Sequence, residues 1–268
     1  MRQVALVAGS VFKESVRDRV PYSLVLFAVV LMAASYLISQ LTAGQDLKVI
    51  KDLGLASINI IGLLIAIFIG IGLVSKEVER RSIYSLLAKP LSRTTFILGK
   101  FAGLALTLAA NVGAMTVAYF AVLGYMNWVA NESTRLSWPA PAMDPWLLVP
   151  IVLILAQLTI VTAIALFFST FSSPLLSALL TLGIWTAGHF NADLKNFQAV
   201  VDSAPAVYTA RALYYLLPNF AAFDVKAQVV HGEGIALAQV GVTLLYGAVY
   251  VSALLVGAIV IFRRRDFK

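Results

Sequence analysis

Residues 76–100 read KEVERRSIYSLLAKPLSRTTFILGK, a charged insert between two long apolar runs. Glu77 stands three and four residues before Arg80 and Arg81, a spacing that supports a helix by ion pairing, while Ile83, Leu86 and Leu87 gather on one side of it. Pro90 stops that helix, because proline has no N–H to donate and its ring clashes with the preceding turn. Ser92 or Thr94 can then cap a second helix that starts with Arg93 and runs into the apolar stretch from Phe96. The order is helix, proline break, helix. A polar helix flanked by two membrane spans lies across the membrane surface and offers one face to the water, so it is predicted to be a docking element.

The flanking runs are membrane spans on composition alone. Of 268 residues 60% are hydrophobic and 12% charged, which places the chain outside the soluble globular class. Six runs are long enough to cross roughly 30 Å of hydrocarbon, at about 22–41, 56–74, 101–125, 146–168, 174–189 and 235–262, and none contains Asp, Glu, Lys or Arg. The fifth is the shortest. Residues 3–19 put Val4, Val7, Ala8, Val11, Phe12 and Val16 on one helical face and Lys13 and Arg17 opposite, the pattern of an amphipathic helix in the membrane interface. One membrane domain, 1–268, accounts for the chain.

Charge sets the orientation. With six spans and both ends on one side, the proposed inner segments hold 14 of the 20 basic residues, including Arg2, Lys76, Arg93, Lys100 and the run from Arg263 to Arg265. The proposed outer segments hold six bases and eight acids. Basic residues concentrate on the cytoplasmic side, which places both termini and residues 76–100 there. Residues 190–234 form an external segment: Arg211 and Pro218 argue against a seventh span, and Pro205 opens a short helix within it. Whether that segment re-enters the membrane stays open.

The chemistry that the chain lacks is informative. It has no cysteine, and its two histidines, His189 and His231, read as an interfacial and a loop residue, with no HExxH and no paired carboxylates within a span, so no catalytic or metal site is expected. No span carries the ionisable residue that ion-driven carriers place in the membrane interior. The only Gly-Lys pair, Gly99-Lys100, precedes Phe101 and lacks the upstream glycine of a phosphate-cradling loop, so any ATPase is a separate chain. Nucleic acid is not implied. The span polar residues Asn59, Asn111, Gln157 and Gln239 suit either interhelical hydrogen bonds or a substrate path. The rows Gly62, Ala66, Gly70 and Ala105, Ala109, Gly113 suit close helix packing, within one protomer or between two.

Taken in order, Glu77, Glu79, Ser82, Leu86, Leu87, Pro90, Arg93, Leu98, Gly99 and Lys100 resemble the cytoplasmic coupling segment of type-2 ABC transporter permeases, most closely the branch that includes the permease of nitrous-oxide reductase maturation. Two weaker echoes accompany it: Lys13-Glu14 with Arg17-Asp18-Arg19 resembles the family's entry helix, and Tyr208 to Phe220 its external segment. The resemblance implies an all-α integral membrane subunit with six transmembrane helices, an N-terminal interfacial helix and a coupling helix between spans two and three. It further implies two permease copies in a bacterial inner membrane and two ATPase subunits, with ATP and Mg bound by the ATPase and no cofactor bound by this chain. Glu77, Glu79, Arg80, Arg81 and Arg93 would then make polar contacts with the ATPase, Ile83, Leu86 and Leu87 the packed face, and Pro90 the angle. Export is the expected direction. The alternative is a subunit that transmits force to a periplasmic partner without conducting a substrate; a self-contained carrier or intramembrane enzyme is the third reading. Membrane lipids surround the chain in every case.

Overall fold

The computed structural model describes residues 2–39, 46–79, 92–191, 194 and 203–264, and every regular element among them is helical. α1 (Arg2–Arg17) and α2 (Arg19–Ser39) are parted only by Asp18, whose carboxylate accepts the Val20 N–H at 3.2 Å near the start of α2. α3 (Asp46–Glu79) is one unbroken helix, so the second apolar run, the charged residues 46–52 before it and the first residues of the insert share a single rod. α4 (Arg93–Val129) starts where the sequence expects a cap. Ser92 is extended, with ψ 144°, and its hydroxyl accepts the Thr95 N–H at 3.1 Å, satisfying a donor that the first helical turn leaves free.

The chain continues through α5 (Glu132–Leu136) to a 3-10 turn, Pro145–Leu147, entered by an Asp144 carboxylate that accepts the Trp146 N–H at 2.9 Å. There follow α6 (Leu148–Ser169), α7 (Pro174–His189), α8 (Ala204–Leu216), a second 3-10 turn at Ala221–Phe223, α9 (Lys226–Val230) and α10 (Leu237–Arg264).

α3 and α6 form the centre, with α2, α4, α7 and α10 packed around them. The small-residue row on α3 makes that centre possible: a Cβ at Gly62 would fall on Leu158, and one at Gly70 would lie 2.7 Å from the Ala165 Cβ. Ala66, between them, is buried. Lipid tails are as apolar as isoleucine, so the close fit of such helices, more than removal from solvent, holds them together. The outward faces stay apolar. Leu26, Phe27 and Val30 on α2 and Val242, Leu245 and Val249 on α10 are exposed, a surface matched to hydrocarbon.

α1 differs from a helix that only lies in the interface. Its apolar stripe is covered by α4: a Cβ at Gly99 would meet Val7 at 2.6 Å, and one at Gly103 would meet Val11 at 2.6 Å and the Ala8 carbonyl oxygen at 2.7 Å. Lys13 and Arg17 remain exposed on the other face.

Five of the described helices are long and apolar enough to cross a membrane: α2, α3 as far as Ile71, α4, α6 with its 3-10 lead-in, and α10. α7 has 16 residues, about 24 Å of helix, short of a hydrocarbon core about 30 Å thick. Yet α1 lies on the first turns of α4, and the Arg93 guanidinium at the start of α4 bonds to the last residues of α10. Both terminal helices therefore meet at one end of the bundle. Five crossings would separate them, so α7 together with the chain that follows it makes up a sixth.

Candidate functional site

The insert that defines the sequence lies at that end. Glu77 and Glu79 belong to the last turn of α3. Arg80, Arg81, Ser82, Ile83, Leu86, Leu87 and Pro90 lie outside the described residues. Beyond them, Arg93 Nη1 donates to the Phe262 carbonyl at 3.2 Å and to the Arg263 carbonyl at 2.7 Å. The Phe96 and Phe262 rings stack with centroids 5.8 Å apart, and the Lys100 ammonium sits 5.0 Å from the Phe96 ring centroid. Lys100 is buried, so this aromatic face contributes to holding its charge away from water. The C-terminal half of the insert, from Ser92, is thus packed into the bundle, between α1 on one side and the end of α10 on the other.

The span polar residues divide by what their side chains reach. Asn111 donates to the Thr107 carbonyl of its own helix at 2.7 Å, and Gln239 is exposed near the start of α10. Asn59 is buried, and its Oδ1 has no hydrogen-bond partner among the described residues. Gln157 alone of the four is shown joining another element. Its Nε2 lies 3.3 Å from His189 Nε2, while His189 Nδ1 lies 2.8 Å from the Trp185 carbonyl oxygen. A carbonyl only accepts, so the proton is on Nδ1, and the Nε2 lone pair receives the Gln157 N–H. Trp185, one turn earlier, packs on the imidazole at 4.5 Å between ring centroids.

His189, which the sequence marks as an interfacial residue, is instead the hub of a polar layer. The chain after α8 folds back onto it. Phe220 N–H donates to the Gly188 carbonyl at 3.0 Å, its ring lies 5.6 Å from the imidazole, and Asn191 donates to the carbonyls of Tyr214 and Leu217 at 3.1 and 3.2 Å. A side chain at Gly188 would strike the Pro218 carbonyl, which explains a glycine there. From α10, Tyr246 Oη accepts the Asn219 N–H at 3.0 Å and Tyr250 Oη donates to the Leu216 carbonyl at 2.9 Å. Phe223 reaches Gly247, beside Ile160 of α6. Residues 216–223 therefore lie level with the middles of α6 and α10, joined to both and to the end of α7. The sequence carried a partial signal: Trp185 and His189 are four apart, as are Tyr246 and Tyr250, so each pair shares a helical face.

At the end of the bundle away from Arg93, Lys51 of α3 is buried and donates to the Pro141 carbonyl at 2.9 Å, while Tyr119 of α4 donates to the Lys51 carbonyl at 3.3 Å. The first bond pins the 137–144 connector to the start of α3, and the second ties α4 to it. Among the described residues no three His, Asp or Glu side chains gather into a group that could hold a metal ion.

A sequence pattern for the ABC-2 family transporter proteins matches residues 6–267, nearly the whole chain. The chain belongs to that family. No curated protein matches it. ABC-2 proteins are the membrane-embedded subunits of ABC transporters, so the described helices are those of a multi-pass permease, a transport subunit and not itself a catalyst. In this permease the two sets of contacts have distinct positions: those of Arg93 and Phe96 with the end of α10 lie at one end of the bundle, and the polar layer around His189 lies about halfway along it.

Proposed function

We propose that this permease couples ATP hydrolysis by a separate ATPase subunit to export across a bacterial inner membrane, as a pair of permease copies with both termini in the cytoplasm. The observation that carries this reading is the family match over 6–267, together with an insert that leaves α3 and re-enters α4 at one end of the bundle. Glu77, Glu79, Arg80 and Arg81 supply the polar contacts with the ATPase, and Ile83, Leu86 and Leu87 fill its groove. ATP and Mg belong to that partner. Closure of the ATPase pair then moves the insert, and with it α3 and α4.

Purification of the tagged chain from its native membrane in mild detergent tests this. A P-loop ATPase should accompany it and be lost when Ile83 and Leu87 are both changed to Asp, because two carboxylates cannot enter an apolar groove without large desolvation. A chain that purifies without an ATPase under several detergents would sink the proposal. Charge reversal gives a finer test: Glu77→Lys with Arg81→Glu should uncouple hydrolysis while leaving the permease folded.

The second reading, force transmission to a periplasmic partner, draws support from the ties of residues 216–223 to Tyr246 and Tyr250. Conduction predicts that changes at Asn59 and Gln157 impair function most. Transmission predicts that changes across 190–234 do.

A further inference from the structure

We propose that Arg93 is a positioning residue that latches the exit of the coupling segment to the last membrane helix, so that α10 carries the cytoplasmic movement to residues 216–223. The inference rests on the reading that the insert docks an ATPase.

Arg93 is the first residue of α4. Its guanidinium does not extend along α4 but reaches the carbonyl oxygens of Phe262 and Arg263, in the last described turn of α10. A guanidinium presents several N–H donors in one plane, so a single arginine is well suited to hold two successive carbonyl oxygens at once. One turn further along α4, Phe96 stacks on Phe262. The joint therefore has a polar pair of bonds and an apolar contact one turn apart, which resists both sliding and rotation.

α10 is otherwise lightly held. Its outward face is exposed along its length, and it packs chiefly on α6 and more lightly on α4. A helix of this kind moves as a rod. From Phe262 to Tyr250 it rises about 18 Å, and there Tyr250 and Tyr246 grip the Leu216 carbonyl and the Asn219 N–H. Gly247, between the tyrosines, admits the Phe223 ring at 3.4 Å from where a Cβ would stand. Residues 216–223 are in turn bonded to Gly188, so a shift of α10 reaches the end of α7 as well. The route is continuous: Ser92 cap, Arg93, α10, Tyr250 and Tyr246, residues 216–223, His189.

The chain has no cysteine, so a single introduced thiol reports one position in each permease copy, read against the same complex without the introduced thiol. Arg211 on α8 is exposed and five residues before Leu216. The experiment uses the co-purified permease and ATPase with Arg211→Cys carrying bimane, and follows its fluorescence on adding ATP with vanadate. With Arg93 present the signal changes. In the complex that Arg93→Ala forms with the ATPase the fluorescence change is lost; Arg93→Lys, with one compact ammonium in place of a fork, retains part of it. Tyr250→Phe, which removes the bond at the far end of the route, also diminishes it. Should Arg93→Ala fail to fold, the Lys and Phe variants carry the same comparison. An unchanged signal in Arg93→Ala, or in both Arg93→Lys and Tyr250→Phe, overturns the latch. Loss of the ATPase from folded Arg93→Ala also overturns it and makes Arg93 a docking contact. Absence of a nucleotide-dependent change with Arg93 intact overturns the route, whereas absence of any ATPase from the unsubstituted complex overturns the coupling reading on which it stands.

Discussion

His189 and Gln157 join α6 to α7 by one hydrogen bond at mid-height, and its worth is limited by what each group would find without the other. Interhelical bonds of this kind contribute about 0.6 kcal/mol on average within membranes and up to about 1.7. Because the Gln157 amide is buried and the imidazole is fixed by Trp185, the pair belongs near the upper end. A double-mutant cycle with Gln157→Leu and His189→Phe, read by thermal unfolding in detergent, should therefore give a coupling of about 1 kcal/mol. A coupling indistinguishable from zero would remove the bond from the energetics. Lys51 behaves differently, because its ammonium is desolvated at the top of α3 and bonds a carbonyl oxygen. Lys51→Glu sets an acceptor against an acceptor and should cost several kcal/mol, read as loss of monodisperse protein, while Lys51→Met keeps the volume and should be tolerated. The sequence offers Gln157 either an interhelical bond or a place on a substrate path; the structure sets it against His189, 32 positions away, a partner the sequence does not name. It read Lys51 as an outer-loop charge. The stripe Leu47, Ile50, Gly54, Leu55, Ile58 already runs through that position at helical spacing, and Lys51 is masked by its charge, not by its place.

Among elements, small residues decide which helices touch. Gly62, Ala66 and Gly70 serve α3 against α6 inside the protomer, whereas nothing lies within 4 Å of where a Cβ at Gly113 would stand. The contact that fastens α1 depends on a third row, Gly99 and Gly103, of which the sequence presents only Gly99 as part of a motif and which the hydropathy pattern does not distinguish from ordinary span glycines. Gly103→Ala puts a methyl against Val11 and the Ala8 carbonyl, and the backbone oxygen cannot rotate away. Overpacking of this kind costs about 1–3 kcal/mol, so α1 should lift from α4 and trypsin should cut at the exposed Lys13 and Arg17 faster. Gly113→Ala, on the open face of the same helix, should leave the cutting rate unchanged and add a little helix stability, up to about 1 kcal/mol. Equal rates in the two variants would mean that the glycine groove does not hold α1. Helix existence and type were legible in the long apolar runs, because about twenty apolar residues in a row admit little else, whereas the short helices α5 and α9 carry no such signal. The packing partners were not, since a row of small residues says that something approaches closely and is silent about what.

For the whole molecule the decisive question is parity. Among the described residues five helices are long enough to span, which taken alone would place the two ends of the chain on opposite sides. Arg93 and Gly99 bring the end of α10 and the body of α1 to the same end of α4, so the number of crossings must be even. α7 completes only part of the sixth: its last residue meets Gln157, near the middle of α6, and the chain reaches the outer end by way of α8, residues 216–223 and α9. In the proposed orientation the charge distribution sets the direction, since among the described residues the end where α1, α4 and α10 meet carries most of the lysine and arginine. In the cysteine-free chain these statements become a labelling experiment on intact cells with a membrane-impermeant maleimide. Ser133→Cys, on α5 beyond the outer end of α4, and Arg211→Cys, on α8, should both label from outside, and Lys13→Cys on α1 only after permeabilisation; all three positions are exposed. Were Lys13→Cys to label from outside together with Arg211→Cys, the sixth crossing would not exist and α7 would return to the side from which it started. Were Ser133→Cys protected while Lys13→Cys labelled, the crossings would stand and the charge rule would have given the wrong direction.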